Sequence, residues 1–222
     1  MKRFYGIVLL AVAACTVDHP ADARKPPAAA RDTKGPAMEQ SQIIAAVRKH
    51  LEAGGITNAA QLSVTDASYP LDHDESSWRF FIAKEQRPNP PKDWKGQEHF
   101  VAVDVASGKV YWKDESAAAA YLQAMGYPGH PDRLLPEEVF AAWYGLTRGV
   151  PAPMVFGQSG NTPPEVRRLV SRPATQKKDG LLVTTAWTSE LRDHRMTRHT
   201  LTVHPDGHIV TESVAGADLV KK

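Results

Sequence analysis

The stretch His99-Phe-Val-Ala-Val-Asp-Val-Ala-Ser-Gly-Lys-Val-Tyr-Trp112 decides the fold. Val101 and Val103 alternate with Phe100, Ala102 and Asp104, which is the two-residue period of a strand. Ala106-Ser107-Gly108 then predicts a reversal, because Gly108 tolerates the left-handed backbone conformation and Asp104 can accept hydrogen bonds from the turn amides. An antiparallel hairpin therefore lies at the centre of the first half of the chain. Upstream, Trp78-Arg-Phe-Phe-Ile-Ala-Lys84 places Trp78, Phe80 and Ile82 on one face and leaves the other face partly apolar, as in a central strand. Leu62 to Ser68 alternates Leu62 and Val64 as another strand. Before it, Ile43, Ile44, Val47 and Leu51 recur at helical spacing from Met38 to Ala53, and Gly54-Gly55 supplies the stop.

Between the two strands and the hairpin runs Glu85-Gln-Arg-Pro-Asn-Pro-Pro-Lys-Asp-Trp-Lys-Gly-Gln-Glu98, whose prolines at 88, 90 and 91 remove ladder donors and make it a long loop. Downstream of the hairpin, an alanine-rich helix is expected from Glu115 to Met125, closed by Gly126. Residues 126–135, rich in Pro and Gly, read as a joint between domains. Pro136, followed by Glu137 and Glu138, opens a helix that buries Val139, Phe140, Trp143 and Leu146. Residues 149–164 are irregular, and Pro163-Pro164-Glu165 opens a short helix. The last third is sheet: Leu181–Ser189 alternates Leu181, Val183 and Trp187, and Met196–His204 alternates Leu201 and Val203. His208–Val214 returns after Pro205-Asp206-Gly207, pairing Val203 with Ile209 and His204 with His208. These elements predict an α+β fold with mostly antiparallel sheets and helices packed on one face. Two small domains are expected, 38–126 and 127–222.

Trp78, Phe80 and Phe81, followed by Val103, Asp104, Gly108 and Val110, give W-x-F-F and then V-D-x-x-[ST]-G-x-V. The pattern resembles PepSY-type periplasmic domains and a helix-plus-sheet class of immunity proteins from polymorphic toxin systems, over residues 38–125. The resemblance implies an envelope protein that binds another protein.

The N-terminus agrees with export. Met1-Lys2-Arg3 is a positive start and Phe4 to Ala14 is an apolar run, too short to span a bilayer, which takes about 20 residues. Residues 1–14 read as a signal peptide, and Val12-Ala13-Ala14-Cys15 resembles the lipobox of bacterial lipoproteins, in which Cys15 is acylated. The alternative is an ordinary cleaved signal with a leftover thiol. Cys15 is the one cysteine of the chain, so an internal disulfide is excluded, and two or more acyl chains anchor stably where one does not. By the same resemblance, Thr16 after the cysteine points to the outer membrane of a Gram-negative cell, periplasmic face. Residues 16–37, rich in Pro, Ala and charge, read as a tether reaching roughly 25 Å as a flexible coil. The net charge of +2 comes from 27 basic against 25 acidic residues, and loss of Lys2 and Arg3 leaves 25 against 25. Nucleic-acid binding, which rests on excess positive charge, is not expected.

Candidate chemistry is sparse. His204 and His208 share one face of the last hairpin with Asp206 nearby, and His199 lies on the other face. That gives two metal ligands where a catalytic zinc site needs three, and solvated hairpin histidines are the expected reading. Asp72-His-Asp-Glu75 lacks the calcium-loop pattern and reads as a charged turn. Gly157-Gln-Ser-Gly-Asn161 misses the second glycine of a nucleophile elbow. No phosphate-cradling loop or dinucleotide fingerprint is present, so no cofactor is expected. Interface hot spots favour Trp and Arg. The partner-binding candidates are accordingly Arg87, Trp94 and Lys95 in the first long loop, Met154 and Phe156 in the second, and Arg192, Arg195 and Arg198. With Lys177 and Lys178 the last three are expected to crowd one edge of the C-terminal sheet.

The expectation is a non-enzymatic, lipid-anchored protein-binding module. Its most specific form is an immunity or inhibitor protein against a toxic effector or envelope hydrolase. The alternatives are a metal-binding envelope protein or hydrolase using the His-rich sheet, and a structural envelope-assembly lipoprotein. The oligomeric state is not legible in the sequence.

Overall fold

The structure, a computed structural model, describes residues 38–67, 77–86, 89, 92, 96–155, 164–189 and 195–220. It is an α+β fold with two four-stranded antiparallel sheets. Sheet 1 contains β1 (Ser63–Asp66), β2 (Trp78–Lys84), β3 (Glu98–Asp104) and β4 (Lys109–Tyr111) in that order. The 99–112 hairpin is β3 and β4, with Gly108 at φ 70° and the Asp104 carboxylate accepting from the Ala106 N–H at 3.2 Å and the Ser107 hydroxyl at 2.6 Å. Burial alone would raise the Asp104 pKa, but these hydrogen bonds and others from Ser77 and the turn backbone favour its charged form and hold it below the usual value.

β2 and β3 carry large apolar side chains at both strand parities, and both faces of sheet 1 are covered. On one face, α1 (Gln40–Ala53) packs Ile43, Val47 and Leu51 against Phe81, Ala83, Val101 and Val103. Glu39 caps the helix, its N–H donating to the Gln42 side chain at 3.0 Å. On the other face Trp78, Phe80, Phe100 and Ala102 meet α2 (Glu115–Ala124) and α3 (Pro136–Arg148). Trp78 stacks on Tyr111 at 4.9 Å, and Phe80 meets Tyr121 edge-on at 5.0 Å. The expected one-face packing is thus corrected for sheet 1, because a strand apolar at both parities needs cover on both sides.

Sheet 2 contains β5 (Ala174–Lys178), β6 (Leu181–Ser189), β7 (Met196–Val203) and β8 (Ile209–Ala215) in that order. β5 was not expected. It pairs with β6 through Asp179-Gly180, both at positive φ (52° and 81°), the turn that matches strand twist. The last hairpin has the expected register, Val203 against Ile209. The face of sheet 2 toward α3 carries Leu182, Thr184, Ala186, Leu201 and Val203, all buried. Leu181 and Val183 point the other way and are only half-buried. At the Trp187 end, that outer face is covered by a small cluster of Val166, Trp187 and Met196. Val166 belongs to the short helix α4 (Pro164–Arg167), and a last short helix, α5 (Gly216–Val220), also contacts β7 and β8.

α3 lies between the sheets and one core runs through it. Phe80 and Phe100 from sheet 1 and Leu182, Leu201 and Val203 from sheet 2 belong to the same buried cluster. Residues 126–135, expected as the joint, contribute Tyr127 and Leu134 to that core, and residues 35–222 form one compact unit. Among the described residues, no helix is long and apolar enough to cross a membrane.

Candidate functional site

Sheet 2 positions the most distinctive chemistry of the molecule. Strands β6, β7 and β8 set Thr188, His199 and Ser213 side by side on the face toward α3, by the pairings Thr188–Thr197, Ala186–His199 and His199–Ser213. The Thr188 hydroxyl and His199 Nε2 are 2.9 Å apart, and His199 Nδ1 and the Ser213 hydroxyl are also 2.9 Å apart. A neutral imidazole offers one donor and one acceptor, and the two hydroxyls rotate to satisfy either tautomer. Phe140, Trp143 and Tyr144 of α3 surround the ring, with centroids 5.4, 6.0 and 6.0 Å away. Burial among them, aided by the Arg148 charge, pushes the His199 pKa down to about 4.

That value decides what the rung can do. A general base works best with a pKa near the working pH, and His199 lies well below neutrality. Its second partner is a hydroxyl, where an activating base is usually oriented by a carboxylate. Ser213 therefore gains little nucleophilicity from its contact with His199. The rung instead ties three strands together and brings a polar chain from the core to the exposed Ser213 on the last strand.

The expected solvated histidines are corrected for His199, which is 5% exposed. Strand parity gave the signal, placing it on the face away from His204 and His208. Those two lie on the tip of the β7–β8 hairpin, half-buried and exposed respectively, with ring centroids 5.7 Å apart. Among the described residues, no group of three or more His, Cys, Asp or Glu side chains is placed to hold a metal ion.

The basic residues do not gather at one edge. Lys177 and Lys178 pair with Leu182 and Leu181 at one end of sheet 2, while Arg198 pairs with Trp187 near the other end. The two ends are about 20 Å apart along the strands. The structure does bring Met154 to the Arg198 end. The Val155 N–H donates to the Trp187 carbonyl at 2.9 Å and the Ser189 N–H to the Pro153 carbonyl at 3.1 Å, so Met154 bridges Thr188 beyond the end of β5. Met154 is half-buried against the shared core, Arg198 is half-buried and Arg195 is exposed. Cys15, Arg87, Trp94, Lys95, Phe156 and Arg192 lie outside the described residues, as do the Asp72–Glu75 cluster and the Gly157–Asn161 stretch.

Fold and site together define an α+β protein whose second sheet, among the described residues, is open on much of its outer face and along β8. Protein-family models, curated proteins and solved structures were all compared with the chain, and none of them matches it.

Proposed function

We propose that this chain is an outer-membrane lipoprotein facing the periplasm that works as a protein-binding module. In its most specific form it is an immunity or inhibitor protein that occludes a toxic effector or envelope hydrolase. One observation carries the binding part: the outer face of sheet 2 leaves Leu181 and Val183 half-buried and Val210 48% exposed, while threonines on the same strand fill the core side. Apolar side chains turned outward in this way favour a surface meant to be covered. The V-A-A-C lipobox, the tether-like composition of residues 16–37 and the likeness to PepSY-type and immunity proteins support the location and the class. Arg198 and Arg195 at one end of the sheet, with Arg87, Trp94, Lys95, Phe156 and Arg192, would orient and anchor the partner, whereas Met154 packs toward the shared core on the other face.

Labelled palmitate supplied to a Gram-negative host producing the chain tests the anchor. Label is expected in the wild type and absent from Cys15→Ser, and equal labelling of the two would sink the lipoprotein reading. Crosslinking in the envelope tests the rest: a discrete protein adduct is expected, with heightened sensitivity to that protein's toxic activity when the chain is deleted. Absence of any adduct would count against a binding module.

A further inference from the structure

Sheet 2 ends on β8, and among the described residues no strand pairs with its far side. β8 is seven residues long, against four, three and five for the other edge strands β1, β4 and β5. Edges are usually guarded by lysine, proline or a bulge. β5 ends in Lys177-Lys178, whereas Ile209-Val-Thr-Glu-Ser-Val-Ala215 holds one charge, Glu212, and no proline.

The direction of its backbone groups follows from the hairpin. The His204 N–H donates to the His208 carbonyl at 2.9 Å. In an antiparallel ladder, hydrogen-bonded and non-hydrogen-bonded pairs alternate. Val210, Glu212 and Val214 therefore bond to β7, and Thr211 and Ser213 turn their N–H and C=O groups to the open edge. These two donor–acceptor sets are about 7 Å apart, the repeat of a strand. The Ser213 hydroxyl, at the end of the His199 rung, lies beside them on the inner face.

We infer that β8 receives an extended segment of a partner protein as a fifth strand of sheet 2, a segment with Lys or Arg opposite Glu212. The inference rests on the reading of the chain as a protein-binding module. Backbone edges recognise extended backbone, which fixes the class of ligand. Charge fixes the rest. With Thr211 and Ser213 in hydrogen-bonded pairs, the residue facing Glu212 occupies the closer, non-hydrogen-bonded kind of pair. Arg198 of β7 lies on the same face one diagonal away, on the side of Glu212 away from the open edge, and among the described residues no strand faces Glu212 from the open side. A second copy fits poorly: antiparallel self-pairing centred on Glu212 sets two carboxylates face to face, and centring on Thr211 or Ser213 keeps them on the diagonal.

Amide exchange by NMR on the full Cys15→Ser chain tests the edge. Thr211 and Ser213 should exchange fast and Val210, Glu212 and Val214 slowly. The probes are two acetylated peptides of about nine residues that alternate threonine and valine, one with a central lysine and one with a central glutamate. The lysine peptide should slow exchange at Thr211 and Ser213 and bind roughly two- to fivefold more tightly than the glutamate peptide. Glu212→Lys should reverse that order. Thr211→Pro, which removes an outward donor without touching the β7 ladder, should abolish the protection of Ser213. Slow exchange at Thr211 and Ser213 in the free chain would overturn the inference, showing an edge already covered by the chain itself or, if it rises with concentration, by a second copy. Equal binding of the two peptides, or protection elsewhere, would overturn it as well. In the envelope crosslinking experiment, capture of the same partner by wild type and Thr211→Pro removes β8 as the docking edge but leaves the protein-binding reading standing. Capture by neither removes that reading.

Discussion

His199 shows how much one residue's surroundings decide. In solution an imidazole takes up a proton near pH 6.5, but here burial against Phe140, Trp143 and Tyr144 holds the pKa at about 4. Between those values the unfolded chain binds the proton and the folded chain does not. Stability from His199 is therefore full above about pH 6.5, declines as pH falls, and is lost below about pH 4. Burial, with help from Lys113, also lowers the pKa of His99 and adds in the same direction. Urea unfolding at pH 7.5 and pH 4.5 should differ by roughly 2 kcal/mol through His199 alone, and His199→Gln should remove most of that difference. An unchanged pH dependence in the variant would show that other groups carry it. Parity placed His199 apart from His204 and His208 in the sequence. Its burial was not legible, because the three rings that enclose it come from α3, far away along the chain. Thr188 and Ser213 were not legible as its partners either, since that needs the register of three strands.

At the scale of elements, the strands with strong alternation were readable and the others were not. WRFFIAK and the 99–112 hairpin appear where the pattern put them, because their apolar side chains exceed any alternative use. β5, Ala-Thr-Gln-Lys-Lys, has no apolar alternation, and only the Asp179-Gly180 turn after it carried a signal. In β6, alternation gave the right period but did not reveal which face is buried. Thr184 and Thr188 go inside because Thr175 and His199 pair with their hydroxyls, which removes most of the cost of burying them. α3 was legible from its capping and its apolar face, but Gly145 was not. A Cβ there would run into the Phe100 ring, so this glycine sets how closely α3 approaches β3. Gly145→Ala gains about 1 kcal/mol of helix propensity, against an overpacking cost of typically 1–3 kcal/mol. Net destabilisation is expected in urea melts, with partial recovery when Phe100→Leu is added. A gain in stability from Gly145→Ala alone would mean that the contact is loose.

For the whole molecule, the decisive feature is that α3 serves two sheets at once. Trp143 and Phe140 face the same core as Phe80 and Phe100 on one side and Leu201 and Val203 on the other. A second link crosses between the halves of the chain, where Gln123 of α2 donates to the Asp206 carbonyl in the β7–β8 turn at 2.6 Å. Neither sheet can lose α3 without exposing its buried face, so the two should unfold in one transition. Phe140→Ala tests this at the centre. Removing a fully buried ring costs about 3–5 kcal/mol, and that loss should appear equally in the exchange protection of β2 and β3 and of β6 and β7. Tryptophans distributed over both sheets, Trp78 in β2 and Trp187 in β6, give a second readout, and their fluorescence should change at the same urea concentration. If Phe140→Ala lowers protection in sheet 2 alone, or the two signals separate, the sheets have independent stability. Coupling of this kind also bears on binding: a strand added at β8 would stiffen β7, the His199 rung and α3 behind it, so exchange protection should rise as far away as β3.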